Sequence, residues 1–319
     1  MLDAVGLFVL GLALLALGGD SIVKGASGLA QRFGASPFTV GLLVVAFGTS
    51  LPELAVNARA VVTGSQSLAL GNAVGSNIVN IGLTLALAAI AAPLLIRWRA
   101  LSPLLLCLMV ATLLVMGAGW DGVLTRVEGV VLLVGFVAVL AACLARSRRE
   151  PPELHHALAG FARTSTGLVQ NLLRVAIAIA LLYFGARWVV GSAPVIGIAL
   201  GMAPLVTGLL VVAIGTALPE MAAAVMAARR GQGDLVAGHV IGSSVFNLLV
   251  VLGGMATIRD VPMPASFVRF ELPAALVFAA MLAPMLRGDF HVSRREGVVL
   301  LLAFVAWLAF EIVLLRQSG

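Results

Sequence analysis

Pro37–Glu53 reads PFTVGLLVVAFGTSLPE, and 167 residues further on Pro204–Glu220 reads PLVTGLLVVAIGTALPE. Twelve of the 17 aligned positions are identical, and each copy ends on one glutamate in a segment otherwise apolar enough to cross a bilayer. A carboxylate at that depth costs roughly 3 kcal/mol on insertion scales, so an intramembrane acid marks a functional site before it marks anything else. Glu53 and Glu220 hold matching positions in the repeat and are the leading site candidates. The offset persists: GNAVGSNIVN (71–80) aligns without a gap to GHVIGSSVFN (238–247), and Gly18 to Gly185.

The rest of the chain is of the same character. It is 61% hydrophobic and 11% charged over 319 residues, with a mean hydropathy of +1.12, whereas about a quarter of the residues in a soluble domain carry charge. Apolar runs near the ~20 residues needed to span the hydrocarbon as helix fall at 3–23, 37–62, 68–92, 101–118, 126–145, 168–195, 205–229, 234–258, 269–287 and 297–315. The expected fold is an all-α polytopic membrane protein of about ten transmembrane helices. The first run has Asp3 where a signal peptide carries basic residues and no small-residue cleavage signal before the next span, so it reads as a retained helix. Cys107 and Cys143 lie inside expected helices without metal-ligand spacing and read as apolar filler.

The net charge of +6 acquires meaning only when sorted by loop. With the N-terminus outside, the cytoplasmic side receives Lys24, Arg32, Arg97, Arg99, Arg146, Arg148, Arg149, Arg163, Arg174, Arg229, Arg230, Arg287, Arg294 and Arg295. The other side keeps Arg59, Arg126, Arg187, Arg259, Arg269 and Arg316. Fourteen against six follows the positive-inside rule and puts both termini outside. The basic excess is therefore a topology signal and no sign of a nucleic-acid partner.

A duplication of five helices inserts its second copy upside down, because five is odd. The domain reading is a first repeat over 1–145 (repeated motif 37–92), a hydrophilic cytoplasmic linker over 146–166 carrying His155 and His156 as a solvated pair, and an inverted second repeat over 167–319 (motif 204–258). Secondary transporters use this plan and place their substrate near the midplane between the repeats.

Within each copy, GTSLPE (48–53) and GTALPE (215–220) are expected to interrupt the helix, since Pro52 and Pro219 remove a donor and clash with the carbonyl four residues back. Carbonyls freed at the midplane are tolerated where protein, water or an ion satisfies them. Asn72, Ser76 and Asn80 recur every four residues, as do His239, Ser243 and Asn247, so each trio lines one helix face. Gly71, Gly75, Gly238 and Gly242 are expected to let those faces pack closely. With oxygen and amide donors, no thiol and one histidine, the set selects hard cations, and two carboxylates among several neutral oxygens suit Ca²⁺.

At these residues the chain resembles the cation/Ca²⁺ exchanger superfamily, specifically the prokaryotic sodium/calcium exchangers, whose two alpha-repeats are matched by GTSLPE with GNAVGSNIVN and by GTALPE with GHVIGSSVFN. The resemblance implies a Ca²⁺/Na⁺ antiporter of the inner or plasma membrane, with the first and sixth helices sliding across helices two, three, seven and eight. It implies Ca²⁺ held by Glu53, Glu220 and the carbonyls of Thr49 and Thr216, and Na⁺ held by Ala46, Ser50, Ser76 and Asn80 of one copy and Ala213, Thr216, Ser243 and Asn247 of the other. Three positions depart from the family pattern: Ala217 lacks the hydroxyl of Ser50, Asn247 stands where many relatives carry aspartate, and His239 replaces the asparagine found at 72. Asp20 and Arg187, equivalent and opposite in charge, read as snorkelling or paired groups.

Proton-driven Ca²⁺ exchange is the near rival, because two carboxylates sharing a site titrate as a coupled pair. A channel is disfavoured because one chain supplies both halves of the site instead of a ring of subunits. An enzyme is disfavoured because no Ser/His/Asp set or HExxH motif lies in the helices. No nucleotide-binding loop is present, and no cofactor is implied beyond the transported ions.

Overall fold

The computed structural model describes residues 1–34, 48–96, 98–147, 164–287 and 291–318. Ala46, most of the first copy of the duplicated stretch, His155, His156 and most of the linker lie outside the described residues. The helices are α1 (Leu2–Arg32), α2 (Leu51–Val62), α3 (Gln66–Ala91), α4 (Trp98–Ala118), α5 (Arg126–Ser147), α6 (Leu168–Ala199), α7 (Pro204–Arg229), α8 (Gly233–Ile258), α9 (Glu271–Arg287) and α10 (Arg294–Ser318). Nine spans among the described residues are long and apolar enough to cross a membrane. The second expected span is described only through α2. Lipid leaves helices as the natural solution, because each satisfies its own backbone groups.

The apolar surface is distributed as a bilayer demands. The membrane windows of α3 and α8 are 83% and 78% buried, whereas that of α5 is 11% buried, its Val127, Val130, Val131, Val134 and Val137 facing outward. α3 and α8, which carry the two polar stripes, thus form the centre of the bundle with α7 against them. Close approach replaces the hydrophobic effect as the packing device here. A Cβ at Gly71 would stand 2.0 Å from the Leu205 carbonyl oxygen, and one at Gly75 would stand 2.4 Å from that of Leu209. Gly238 differs from expectation, with ordinary clearance of 3.6 Å to Leu101.

The 167-residue offset is written into the backbone. α1 and α6 are followed by left-handed Gly34 and Gly201 (φ 93° and 70°), and the turns after α2 and α7 hold left-handed Gly64 and Gly231 (φ 83° and 73°). This is the conformation in which glycine commonly ends a helix. π-helical segments open at Asn80 and again at Asn247. Four two-residue strands complete the scheme: β1 (Leu94–Leu95), β2 (Val123–Leu124), β3 (Val261–Pro262) and β4 (His291–Val292). β1 pairs antiparallel with β4, and β2 with β3. Leu94 and Leu95 are the equivalents of Val261 and Pro262, and Leu124 of His291, so among the described residues each half pairs its strands with those of the other.

Candidate functional site

In the first half, a 3₁₀ turn at Gly48–Ser50 leads into α2, with Pro52 in the first turn. Proline costs nothing there, since its missing N–H has no intrahelical partner in any case. Glu53 follows in the same turn, where the helix dipole favours negative charge, and Asn57 Nδ2 donates to the Glu53 carbonyl oxygen at 2.8 Å. The interruption expected at GTSLPE is therefore a new helix start. In the second half the expectation fails, because the α-helix runs from Ala213 to Arg229 straight through Pro219. Proline's φ is itself helical, and the irregularity falls upstream instead, in the π-helical segment Thr207–Val212. Such segments often sit at functional sites.

The two acids are buried, Glu53 at 2% exposure and Glu220 at 7%. The Thr216 hydroxyl lies beside the Glu53 carboxyl and that of Thr49 beside Glu220. Both Glu53 oxygens and Glu220 Oε1 are buried without a hydrogen-bond partner among the described residues. The threonine of each half thus faces the glutamate of the other. Ser50 Oγ and Ser243 Oγ are hydrogen-bonded at 2.6 Å, and Thr49 Oγ1 and His239 Nδ1 at 3.0 Å. Asn247 Nδ2 donates to Asn77 Oδ1 at 3.3 Å, and Asn77 Nδ2 to the Ser244 carbonyl oxygen at 3.1 Å. The remaining stripe residues Asn72, Ser76 and Asn80 are buried, as is Ala213, and the Asn72 amide, Ser76 Oγ and Asn247 Oδ1 have no hydrogen-bond partner among the described residues. Unsatisfied buried polar atoms cost about 1–3 kcal/mol each in an apolar interior, and such atoms on both carboxylates and on both stripes are the mark of a polar ligand site.

A cavity of about 330 Å³ reaches this cluster from one side. It is lined by Thr49, Thr216, Glu220, His239 and Asp20, and otherwise by apolar residues, mostly of α1, α7 and α8. Among the described residues, neither lysine nor arginine lines it. Asp20 is paired with Lys24 at 2.6 Å, while Arg187, its repeat equivalent, is exposed. In the other half, Val56, Asn57, Ala60, Leu68, Ala69 and Asn72, equivalents of lining residues on α7 and α8, are tightly packed, each at most 1% exposed. Sequence reasoning found the acids, threonines and stripes. It missed Asn57 and the Asn77–Ser244 contact, for which the only signal was their place inside or beside the repeated motifs, and it had no signal for the one-sided opening.

Comparison with known proteins agrees in length and plan. The family model described as "Sodium/calcium exchanger protein" matches residues 4–145 and 171–313. The chain is 34% identical over 319 residues to the inner membrane protein YrbG of Escherichia coli, covering 97% of each. It is 27% identical to the sodium/calcium exchanger MaX1 of Methanosarcina acetivorans, covering 95% of this chain and 96% of that one. Among solved structures, the sodium-calcium exchanger NCX_Mj soaked with 2.5 mM Na⁺ and 10 mM Sr²⁺ superposes with a TM-score of 0.67 at 30% identity, over 97% of this chain and 98% of that one.

Proposed function

This chain belongs to the sodium/calcium exchanger protein family, and we propose that it is an antiporter in which Na⁺ entry drives Ca²⁺ efflux by alternating access at Glu53 and Glu220. The observation that carries this reading is the pair of buried carboxylates, one from each half, facing the other half's threonine beside a cavity that no described lysine or arginine lines. Two negative charges balance one Ca²⁺ or two Na⁺, and the same oxygens serve either ion, so occupancy is exclusive. Exclusive occupancy is what couples the two fluxes.

Ca²⁺ takes six to eight oxygens in flexible geometry, which the carboxylates and the carbonyls of Thr49 and Thr216 begin to supply. Ser50, Ser76, Asn80, Ser243, Asn247, Thr216, Ala213 and Ala46 are the proposed Na⁺ donors. By the arginine distribution, the cavity opens toward the cytoplasm, the side from which Ca²⁺ is collected, and the packed image of the cavity is the closed outer path. One reconstitution tests the whole: ⁴⁵Ca²⁺-loaded liposomes bearing the purified protein are exposed to a Na⁺ gradient and, separately, to a pH gradient, with the membrane potential clamped. Efflux with the Na⁺ gradient alone is the expected result. Efflux with the pH gradient alone overturns sodium coupling.

A further inference from the structure

Asn72 and His239 are repeat equivalents, yet the structure employs them differently. Asn72 is fully buried on the packed side. His239, its side chain 12% exposed, stands in the cavity wall. Its Nδ1 is hydrogen-bonded to Thr49 Oγ1 at 3.0 Å, and its Nε2 stands 3.7 Å from Glu220 Oε1. The second separation exceeds the ~3.2 Å limit of an N–H···O bond, and Glu220 Oε1 has no hydrogen-bond partner. The ring is thus tethered to the first half through one nitrogen and turns the other toward the acid of the second half.

Histidine ligands are held in this manner: one ring nitrogen bonded to a neighbouring group sets the ring, and the other is aimed at a metal ion. Two bonds of about 2.1 Å, the usual length to an imidazole nitrogen or a carboxylate oxygen, span up to about 4.2 Å. The 3.7 Å gap between Nε2 and Oε1 falls within that reach. Among the described residues no three His, Cys, Asp or Glu side chains form a ready-made metal cage. The remaining donors would be hydroxyls, carbonyls and water, an open coordination sphere that suits an ion that must leave again.

We propose that His239 is a specificity-determining ligand, adding a nitrogen donor to an otherwise oxygen-only site and extending the transported cations from Ca²⁺ to first-row divalent ions, Mn²⁺ and Co²⁺. The inference rests on Glu53 and Glu220 being the cation site. Ca²⁺ is served by oxygen, whereas affinity for nitrogen-containing sites rises along the first row from Mn²⁺ to Co²⁺ and beyond. An asparagine at 239, as at 72, offers an amide oxygen and no such preference.

The test reads a ratio, so a change in overall rate does not enter it. Na⁺-dependent ⁴⁵Ca²⁺ uptake is measured with Co²⁺ as competitor in wild type and His239→Asn, and the half-inhibiting Co²⁺ concentration is divided by the half-saturating Ca²⁺ concentration. The expected result is an increase of roughly tenfold or more in the variant, the loss that follows from removing one ligand interaction; an unchanged ratio overturns the proposal. A second measurement needs no variant: pulsed EPR of Mn²⁺ bound to the wild-type protein should display ¹⁴N modulation from a directly ligated imidazole, removed by excess Ca²⁺. Mn²⁺ that fails to bind, or binds without that modulation, also overturns it. A nitrogen signal in a protein lacking Na⁺-dependent Ca²⁺ flux would remove the exchange reading and leave the ligand assignment standing.

Discussion

Asn77 donates from Nδ2 to the carbonyl oxygen of Ser244 at 3.1 Å, and the two residues are 167 positions apart, the offset of the duplication itself. A residue touching its own repeat equivalent lies on the axis relating the halves. Asn77 Oδ1 also accepts from Asn247, so one buried side chain of α3 holds two residues of α8. Replacing Asn77 by alanine should leave Asn247 Nδ2 without its acceptor and destabilise the fold by about 1–3 kcal/mol. A lowered melting temperature of the detergent-purified variant is the expected outcome, and an unchanged one would show that the contact is incidental.

Glu53→Gln and Glu220→Gln should each abolish Na⁺-driven Ca²⁺ flux, because an amide keeps the shape and loses the charge that balances the ion. Folding should survive, since burying a neutral group costs less than burying a carboxylate. Size-exclusion profiles and circular dichroism should match wild type while flux falls to background. Near wild-type exchange by either variant would remove that residue from the site.

Ser50 Oγ and Ser243 Oγ bond at 2.6 Å, whereas their repeat equivalents are Ala217 and Ser76, and Ser76 Oγ is buried without a partner. Ala217→Ser should supply that partner and raise stability by about 1 kcal/mol. Combined with Asn247→Asp, which adds a third negative charge, it should steepen the Na⁺ dependence of Ca²⁺ efflux. The Hill coefficient measures this. A wild-type coefficient already as steep as that of the double variant would show that neither position limits sodium binding.

Glycines at helix crossings should respond by their clearance and not by their identity. A Cβ at Gly208 would stand 2.0 Å from the Leu68 carbonyl oxygen, and one at Gly71 equally close to that of Leu205. Alanine at either forces two backbones apart and should cost about 1–3 kcal/mol or more. Gly254 meets nothing within 4 Å, and Gly254→Ala should be neutral or stabilising by up to about 1 kcal/mol. Thermal melts of the three variants rank the effects, and equal melts would refute the packing account.

The arginine asymmetry puts the end of α5 inside and the end of α10 outside. In a background of Cys107→Ala and Cys143→Ala, an impermeant thiol reagent applied to intact cells should label Ser318→Cys and spare Ser147→Cys. The opposite pattern would invert the topology and, with it, the direction in which the cavity opens.

The sequence made the periodic and duplicated features legible, and the structure locates its surprises where the two copies agree in letters. Glu53, Glu220, their threonines and the polar stripes were found because an acid or amide in an apolar run is conspicuous against its surroundings. Pro52 and Pro219 look alike in sequence, yet one begins a helix and the other lies within one. No local propensity separates them. The surroundings of the two differ as well, with a cavity beside Glu220 and tight packing around Asn72. The π-helical openings at Asn80 and Asn247 were likewise hidden, because an inserted residue changes the winding without changing the apolar pattern.

The exchanged pairing of β1 with β4 and β2 with β3 has an evolutionary reading. A lone five-helix unit with these strands would have no partner for either within itself, and would find both on a second copy inserted upside down. Such a unit would be competent only as an antiparallel homodimer, assembled from one polypeptide entering the membrane in both orientations. Joining the two genes end to end would preserve every one of those contacts while freeing each half to diverge, as Ser50 has from Ala217 and Asn72 from His239.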